Sequence, residues 1–223
     1  MVRVQLQVAV RPMALADVPQ VSAIDREAFP TLWPPPAFKD ELLHNKIARY
    51  LVVWEVDEHY RSAAEAAPTA SNPEGGLLST VRRLFGGGET RELPPARVLG
   101  LVGIWFMADE AHITTIAVRQ QYRRQGLGEL LLIAALELAQ ERQARVATLE
   151  VRASNLSAQA LYDKYGFAQV GVRPKYYTDN NEDAFIMTTE VLTSPAFQGR
   201  FQPLRERFFA SFPGRRRPDI VLS

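Results

Sequence analysis

The sequence predicts an α/β protein in which a central sheet carries helices on both faces. Two observations support this prediction. Segments with the two-residue periodicity of strands are interleaved with segments of helical periodicity. The chain also has 223 residues, 47% of them hydrophobic and 23% charged, which suits one globular domain with a substantial core. The predicted order is β-α-α-β-β-β-α-β-α-β-β, with an insertion after the second strand.

The first four elements lie before residue 57. Gln5–Arg11 alternates polar and apolar residues, which predicts a strand. An apolar stripe predicts a helix at Asp17–Phe29, and a second short helix is expected at Ala37–Asn45. Tyr50–Val56 is rich in β-branched and aromatic residues and is predicted as the second strand.

Between residues 57 and 97 the composition changes, and Pro, Gly, Ala and Ser become frequent. A loop of this length without structure of its own is unusual in a compact domain. We therefore predict a flexible insertion at about 57–97, in which Leu77–Phe85 forms a short amphipathic helix.

The elements after the insertion are clearer. Strands are predicted at Val98–Met107, Ala111–Val118, Val146–Arg152, Gln169–Tyr177 and Ala184–Val191, the last two as a hairpin. Gly126–Gln143 is the clearest helix, with an apolar arc so wide that other elements must cover it. A further helix is predicted at Leu156–Tyr165, with Asn155 as its N-cap and Gly166 as its C′ glycine.

Residues 192–223 are predicted to be a basic C-terminal extension of the domain at 1–191. From Pro195 onward six arginines outnumber two acidic residues. Arg215–Arg217 could contact ribosomal RNA or an acidic partner, with strong salt dependence, but a solvated or disordered end is the favoured interpretation. Three phenylalanines indicate that part of the extension packs against another apolar surface, such as that of the domain itself: Phe208, Phe209 and Phe212.

Composition and charge exclude several classes of function. The formal net charge of +1 provides no strong field for nucleic acid or an anionic membrane. The longest apolar run, Leu130–Leu136, is far shorter than the roughly 20 residues of a membrane span, and Met1–Met13 lacks the apolar core of a signal peptide. A soluble, cytoplasmic protein without a membrane partner is therefore expected.

The sequence offers few ligands for a metal. It contains no cysteine, which excludes disulfides, thiolate metal sites and cysteine nucleophiles, and which suits a reducing compartment. His44, His59 and His112 are scattered, without a zinc-binding spacing, and are interpreted as structural or surface residues. No metal cofactor is expected.

The segment Tyr122–Gly128 carries the strongest signal for a ligand site, between a predicted strand and the clearest helix. Its two glycines let the backbone approach a bulky ligand. The first turn of the helix offers unpaired N–H groups and a positive dipole end, which suit a pyrophosphate, and Arg123 and Arg124 add positive charge. A basic surface turn explains the spacing equally well. The Walker pattern and the third glycine of a Rossmann fingerprint are absent.

The wider context resembles the GNAT superfamily of acetyltransferases, and within it the RimI branch. The run from Val118 to Gly128 is similar to the pyrophosphate motif of that superfamily. Further similar segments are Leu149–Asn155, Ala160–Tyr162, Tyr165–Phe167, Tyr176–Tyr177 and Glu182–Met187, with Ala28–Pro30 and Trp33 nearer the N-terminus. The resemblance extends over about 98–190 and more weakly over 5–56, but not over the insertion or the extension.

This resemblance implies a GNAT fold, with a mixed, mostly antiparallel central sheet of six to seven strands and helices on both faces. It also implies an N-acetyltransferase that uses acetyl-CoA as co-substrate, in which an amine attacks the thioester directly and no cysteine is required. RimI-type enzymes acetylate the N-terminal amine of a ribosomal protein, so a protein N-terminus of that kind is the expected acceptor. The family's CoA contacts fall here on Ile116, Ala117, Val118, Arg123, Arg124, Gln125, Gly126, Leu127, Gly128, Glu129 and Asn155.

The resemblance also implies two catalytic residues, Glu150 as general base and Tyr162 as proton donor. Glu150 lies in mid-strand, where acidic residues are disfavoured; a solvated face or a pairing with Arg152 is the alternative. A phenol with a pKa of about 10 can protonate a departing thiolate. Core packing is the alternative for Tyr162 and the preferred interpretation of Tyr165.

The acceptor pocket is expected at Tyr176 and Tyr177, where Glu182 and Asp183 could attract a cationic N-terminus. A polar hairpin without such a role is equally compatible. Pro174 interrupts this strand and affects the shape of the pocket.

The chemistry favours an N-terminal amine, because an α-amino group has a pKa near 8 and lysine one near 10.4, so more of the former is free base at neutral pH. Acetylation of lysine or of a small-molecule amine is the first alternative. A non-catalytic module that senses CoA or binds the ribosome is the second, and the presence of both Glu150 and Tyr162 argues against it.

Overall fold

A computed structural model describes residues 7–29, 37–56 and 97–212. The predicted helix at Leu77–Phe85 and the arginines at Arg215–Arg217 lie outside these ranges. The strands are β1 (Val8–Pro12), β2 (Ala48–Glu55), β3 (Val98–Met107), β4 (Glu110–Val118), β5 (Val146–Arg152), β6 (Phe167–Tyr177) and β7 (Glu182–Thr189). The helices are α1 (Val18–Ala28), α2 (Phe38–His44), α3 (Leu127–Glu141), α4 (Leu156–Lys164) and α5 (Pro195–Ala210).

The seven strands form one sheet in the order β1-β2-β3-β4-β5-β7-β6. Every neighbouring pair is antiparallel except β4 and β5, which are parallel. A parallel pair needs a crossover, and α3 supplies it, whereas the antiparallel neighbours β3–β4 and β6–β7 are joined by short turns. The predicted mixed, mostly antiparallel sheet is thus confirmed.

Two apolar cores cover the two faces of the sheet, as the alternation along β2 shows. Leu51 and Val53 belong to the larger core with α3 and α5, while Tyr50 and Val52 belong to a smaller core with α1 and α2. The prediction of helices on both faces is confirmed. Within the described residues, none of these helices is long and apolar enough to cross a membrane.

Helix α5 was not predicted from the sequence, since Gly199 and Pro203 both disfavour a helix interior, by about 1 and 3 kcal/mol. Four phenylalanines on its inner side outweigh that cost, because full burial of each contributes about 1.5–3 kcal/mol. Those side chains are Phe197, Phe201, Phe208 and Phe212, the last just beyond the helix. The prediction that part of the extension packs on the domain is therefore confirmed for Phe208, Phe209 and Phe212.

Candidate active site

The sheet opens between its two parallel strands. β4 and β5 pair only from Glu110–Val146 to Ile113–Leu149. Beyond that point β4 keeps β3 as its partner up to Val118, and β5 keeps β7 up to Arg152. A cleft therefore separates the second half of β4 from the end of β5, with backbone groups on its sides that the sheet does not use.

A β-bulge on β4 lies at the start of this cleft. Gly103 of β3 pairs with Thr115 and the next residue pairs with Ile113, so Thr114 is the extra residue. A side chain at Gly103 would come within 2.6 Å of the Tyr50 ring and 2.9 Å of Thr114 Oγ1, so only glycine fits there. The buried Thr115 Oγ1 has no hydrogen-bond partner among the described residues. A buried polar atom without a partner indicates a place where a ligand or water completes the bonding.

The turn before α3 has a left-handed backbone at two residues, Arg124 with φ 60° and Gly126 with φ 82°. Arg123 is fixed by a hydrogen bond from its Nε to the Val118 carbonyl, 3.0 Å. A Cβ placed on Gly128 meets no atom of the described residues within 4 Å, so these residues leave open space beside the first turn of α3. The N–H groups of a first helical turn have no intrahelical partners and favour an anion. These residues fit a pyrophosphate group.

The requirement for glycine at position 126 comes from packing and backbone conformation, not from access for a ligand. A Cβ there would lie 2.9 Å from Phe212 Cε2 and 3.4 Å from Phe208 Cε2, so the side-chain direction is filled by α5 and the residue after it. Glycine is required at this position by its positive φ and by this contact. Of the two glycines in the motif, Gly128 is the one that leaves room beside the backbone.

Glu150 lies where β4 and β5 separate, and its side chain is only 8% exposed. Its Oε2 is 3.0 Å from His112 Nε2, and its Oε1 is 3.0 Å from the Arg173 guanidinium. The hydrogen bond from His112 lowers the pKa of Glu150, burial opposes that shift, and the charge of Arg173 adds to it. The carboxylate is thus ionised, and it is neither solvated nor paired with Arg152.

Sequence analysis missed His112 and Arg173 as neighbours of Glu150. His112 was interpreted as a structural or surface residue because no spacing connects it to Glu150. The connection comes from the pairing of His112 with Thr148, two residues before Glu150 and therefore on the same face of β5. Within the described residues, no group of three or more histidines or acidic side chains could hold a metal ion.

Tyr162 lies on α4, with its ring 5.7 Å from that of Phe167. Burial raises the pKa of Tyr162, and the nearby Tyr177 phenol raises it further. Among the described residues no hydrogen bond holds its hydroxyl, which thus keeps its proton and can donate it. Tyr165, in contrast, is fully buried and donates its hydroxyl proton to Glu129 Oε1 at 2.6 Å, so the packing interpretation of Tyr165 is confirmed.

Tyr176 and Tyr177 end β6 with their rings in an edge-on contact, 5.2 Å between centroids. Burial raises the pKa of Tyr176 and that of Tyr177, the latter to about 12, and the Glu150 charge contributes to both shifts. The Arg173 guanidinium lies 5.5 Å from the Tyr176 ring and that of Arg152 3.9 Å from the Tyr177 ring. The two tyrosines therefore lie within the electrostatic reach of Glu150.

Glu182 and Asp183, the first two residues of β7, both accept hydrogen bonds. Glu182 accepts hydrogen bonds from the Ser154 amide at 2.6 Å and from Arg152 at 3.3 Å. Asp183 accepts one from the Lys175 amide at 2.8 Å. These bonds fix the hairpin, and the attraction of a cationic N-terminus by the two carboxylates stays a prediction. Arg152 also binds Asp179 with both terminal nitrogens, which ties the end of β5 to the same turn.

The remaining predicted cofactor residues lie along the cleft and the start of the two helices. Ile116 and Val118 point toward the larger core, whereas Ala117 points toward the smaller one. Asn155 caps α4, since its Oδ1 accepts from the Ala158 amide at 3.2 Å. Glu129 is held by the Tyr165 hydroxyl and by Lys164. The Glu129 carboxylate is therefore bound by side chains at the C-terminal end of α4.

Known proteins resemble this chain both in sequence and in fold. The model of the acetyltransferase (GNAT) family matches residues 18–167. A Bacillus subtilis (strain 168) protein named "Putative ribosomal protein bS18-alanine N-acetyltransferase" is 38% identical over 179 residues, which cover 80% of this chain and 93% of that protein. The crystal structure of the Escherichia coli ribosomal-protein-S18-alanine N-acetyltransferase superposes with a TM-score of 0.60 at 23% identity, covering 84% of this chain and 96% of that one. A GNAT acetyltransferase from Elizabethkingia anophelis, solved with acetyl-CoA bound, has a TM-score of 0.54 at 15% identity and covers 83% of this chain and 99% of its own.

Proposed function

The chain belongs to the acetyltransferase (GNAT) family, and from that membership we propose that it transfers the acetyl group of acetyl-CoA to the N-terminal α-amine of a protein. The observation that carries this proposal is the position of Glu150, an ionised and nearly buried carboxylate at the point where β4 and β5 separate. The acceptor class follows the Bacillus subtilis relative, whose name specifies N-acetylation of an alanine of the ribosomal protein bS18.

Three observations on the described part of the chain indicate that the residues along the cleft fit acetyl-CoA. They are the open space at Gly128, the position of the first turn of α3 beside that space, and the Thr115 hydroxyl, which has no hydrogen-bond partner there. When bound, acetyl-CoA supplies the acetyl group as a thioester. The N–H groups of Leu127–Glu129 and the charges of Arg123 and Arg124 would hold its pyrophosphate. The backbone of Ile116–Val118 would hold its pantetheine arm, and Asn155 lies beside that path as a further contact.

Glu150 is positioned to bind and deprotonate the acceptor amine. It already has a cationic partner in Arg173, whose side chain is 52% exposed and can turn away toward water. An incoming α-ammonium group would replace that partner, so the buried carboxylate keeps a compensating charge. His112 donates to the other carboxylate oxygen and fixes its orientation. Since the pKa of Glu150 is lowered, the carboxylate is ready as acceptor at neutral pH, directly or through a water molecule.

Tyr162 is positioned to supply the proton that the departing thiolate needs. Because its pKa is raised by burial, it is fully protonated across the physiological range. Tyr176 and Tyr177 would line the entry of the acceptor, since both lie within the field of Glu150. The two catalytic groups thus come from different elements, β5 and α4.

The test is release of free CoA from acetyl-CoA in the presence of peptides with varied N-termini, each supplied also with a blocked N-terminus. We expect turnover on free N-termini alone, and a fall of at least about tenfold in Glu150→Gln. Equal turnover on blocked, lysine-containing peptides would move the acceptor to lysine. Absence of turnover on every peptide, despite binding of acetyl-CoA, would contradict the proposal and leave a small amine or a binding role.

A further inference from the structure

Helix α5 runs antiparallel to α3 along its outer side. Near the start of α5, Gln198 Nε2 donates to Gln140 Oε1 at the end of α3, 2.6 Å. Further along, Arg205 forms an ion pair with Glu137. The end of α5 therefore reaches the beginning of α3, where the proposed pyrophosphate site lies. α5 lies beyond residue 167, the last that the model of the GNAT family matches.

Two aromatic rings at this end contact the turn that begins α3. Phe208 and Phe212 are 7% and 8% exposed, and their rings are 4.8 Å apart. Both lie against Gly126: a Cβ there would clash with Phe212 at 2.9 Å and would touch Phe208 at 3.4 Å. Neither ring comes within 4 Å of a Cβ placed on Gly128. The left-handed backbone of Arg124, a non-glycine residue, is costly by itself, so a packed support at the neighbouring Gly126 favours this turn over alternatives.

A second contact from α5 acts on the same turn of α3 through Tyr165. Phe201 packs edge-on against the Tyr165 ring at 6.3 Å between centroids. The Tyr165 hydroxyl holds Glu129, which lies in the first turn of α3, with Lys164 on the same carboxylate oxygen. A free carboxylate in that turn would repel a pyrophosphate. The packing of Phe201 therefore supports an arrangement in which this negative charge is compensated.

We infer that α5 is a positioning element for acetyl-CoA, in which Phe208 and Phe212 hold the Gly126 turn so that the first N–H groups of α3 face the pyrophosphate. This inference rests on the proposed function. It assigns to the C-terminal helix a role in binding the co-substrate, while the acceptor amine, Glu150 and Tyr162 stay unaffected on the other side of the cleft.

The test compares Phe212→Ala with Phe197→Ala by calorimetric titration with acetyl-CoA, well below both unfolding temperatures. Phe197 is a matched control, since it is fully buried in the same core but lies near the other end of α5, about 22 Å away at 1.5 Å per residue. We expect the dissociation constant of acetyl-CoA to rise about tenfold in Phe212→Ala and less than about twofold in Phe197→Ala, a contrast that mere loss of packing would not produce. The kcat at saturating acetyl-CoA and the KM of the peptide should change less than about twofold in both.

Phe212→Leu keeps most of the contact and should restore most of the affinity. If Phe212→Ala does not fold, Phe212→Leu and Phe208→Leu replace it, and each should weaken acetyl-CoA about threefold. An unchanged dissociation constant in the variants at 208 and 212, or an equal rise in Phe197→Ala, would overturn the inference while leaving the proposed function intact. A wild-type protein that binds no acetyl-CoA would instead overturn the proposed function itself.

Discussion

His112 and Glu150 lie on the two parallel strands of the sheet, and their Nε2 and Oε2 atoms are 3.0 Å apart at the point where the strands separate. Neither residue alone would define this site. The histidine side chain is 19% exposed, while the carboxylate is 8% exposed. The contact thus connects a nearly buried anion to a group that water can reach.

Replacement of His112 by alanine should move the acidic limb of the pH–rate profile to higher pH. The hydrogen bond from His112 is the main cause that lowers the pKa of Glu150, and burial acts in the opposite direction. Without His112 the burial effect is opposed only by the charge of Arg173 and by a backbone hydrogen bond, so the pKa of Glu150 rises. The measurement is kcat/KM for acetyl-CoA-dependent acetylation at pH values between about 4 and 9. His44→Ala, on the exposed end of α2, is the control, and an unmoved limb in His112→Ala would show that Glu150 is not the titrating base.

Replacement of Tyr162 by phenylalanine should lower kcat at least about tenfold with little loss of stability, because a proton donor is removed but no hydrogen bond to a described residue is broken. Tyr165→Phe, at the residue that directly follows the same helix, is the matched control. It removes the hydroxyl that binds Glu129 in a buried setting, so it should cost about 1 kcal/mol of folding free energy or more and change kcat much less. Steady-state kinetics and thermal unfolding of both variants give the comparison. Equal kcat losses would argue against Tyr162 as proton donor.

The strand and helix pattern could be predicted from the sequence because local periodicity determines it. Val98–Met107 and Val146–Arg152 have the predicted boundaries, and Asn155 caps α4 as expected. The cleft could not be predicted, since it depends on where the pairing of β4 and β5 ends, and that is decided by contacts between segments far apart in the chain. His112 was missed for the same reason. Arg173 was also missed, because only the fold brings β6 close to Glu150.

Helix α5 is a second feature that could not be predicted from the sequence. Its propensity signal is weakened by Gly199 and Pro203, and its stabilisation comes from aromatic burial against α3. The phenylalanines at 208 and 212 did indicate packing, but their contact with Gly126 depends on the antiparallel approach of α5 to α3. Tertiary contacts here override local propensity.

Replacement of Glu182 by glutamine should destabilise the protein at neutral pH and much less in acid. Hydrogen bonds from Ser154, Asn180 and Arg152 lower the pKa of Glu182 to about 2, below its unfolded value. A group with a lowered folded pKa stabilises the native state above the unfolded pKa, and this contribution is lost as pH falls toward the folded pKa. The difference in melting temperature between wild type and Glu182→Gln should therefore be largest near pH 7 and shrink toward pH 2.

The exposed Glu206 of α5 provides the control for this measurement. Glu206→Gln removes the same charge without hydrogen bonds of the same kind, so its melting temperature should follow the wild type at each pH. A Glu182→Gln difference that stays constant from neutral to acid pH would mean that the stabilisation comes from packing of the hairpin and not from the carboxylate.

The two glycines of the turn should respond in opposite directions to alanine. Gly126→Ala places a Cβ at a positive φ and against Phe212, so it should destabilise the fold by about 1–2 kcal/mol or more. Gly128→Ala lies in the first turn of α3 with open space beside it, so it should leave folding unchanged or stabilise it by up to about 1 kcal/mol.

The methyl group of Gly128→Ala would, however, occupy the space proposed for the pyrophosphate, so acetyl-CoA should bind several-fold more weakly. Thermal unfolding without ligand and calorimetric titration with acetyl-CoA separate the two effects. Unimpaired binding of acetyl-CoA by a stable Gly128→Ala protein would place the pyrophosphate elsewhere.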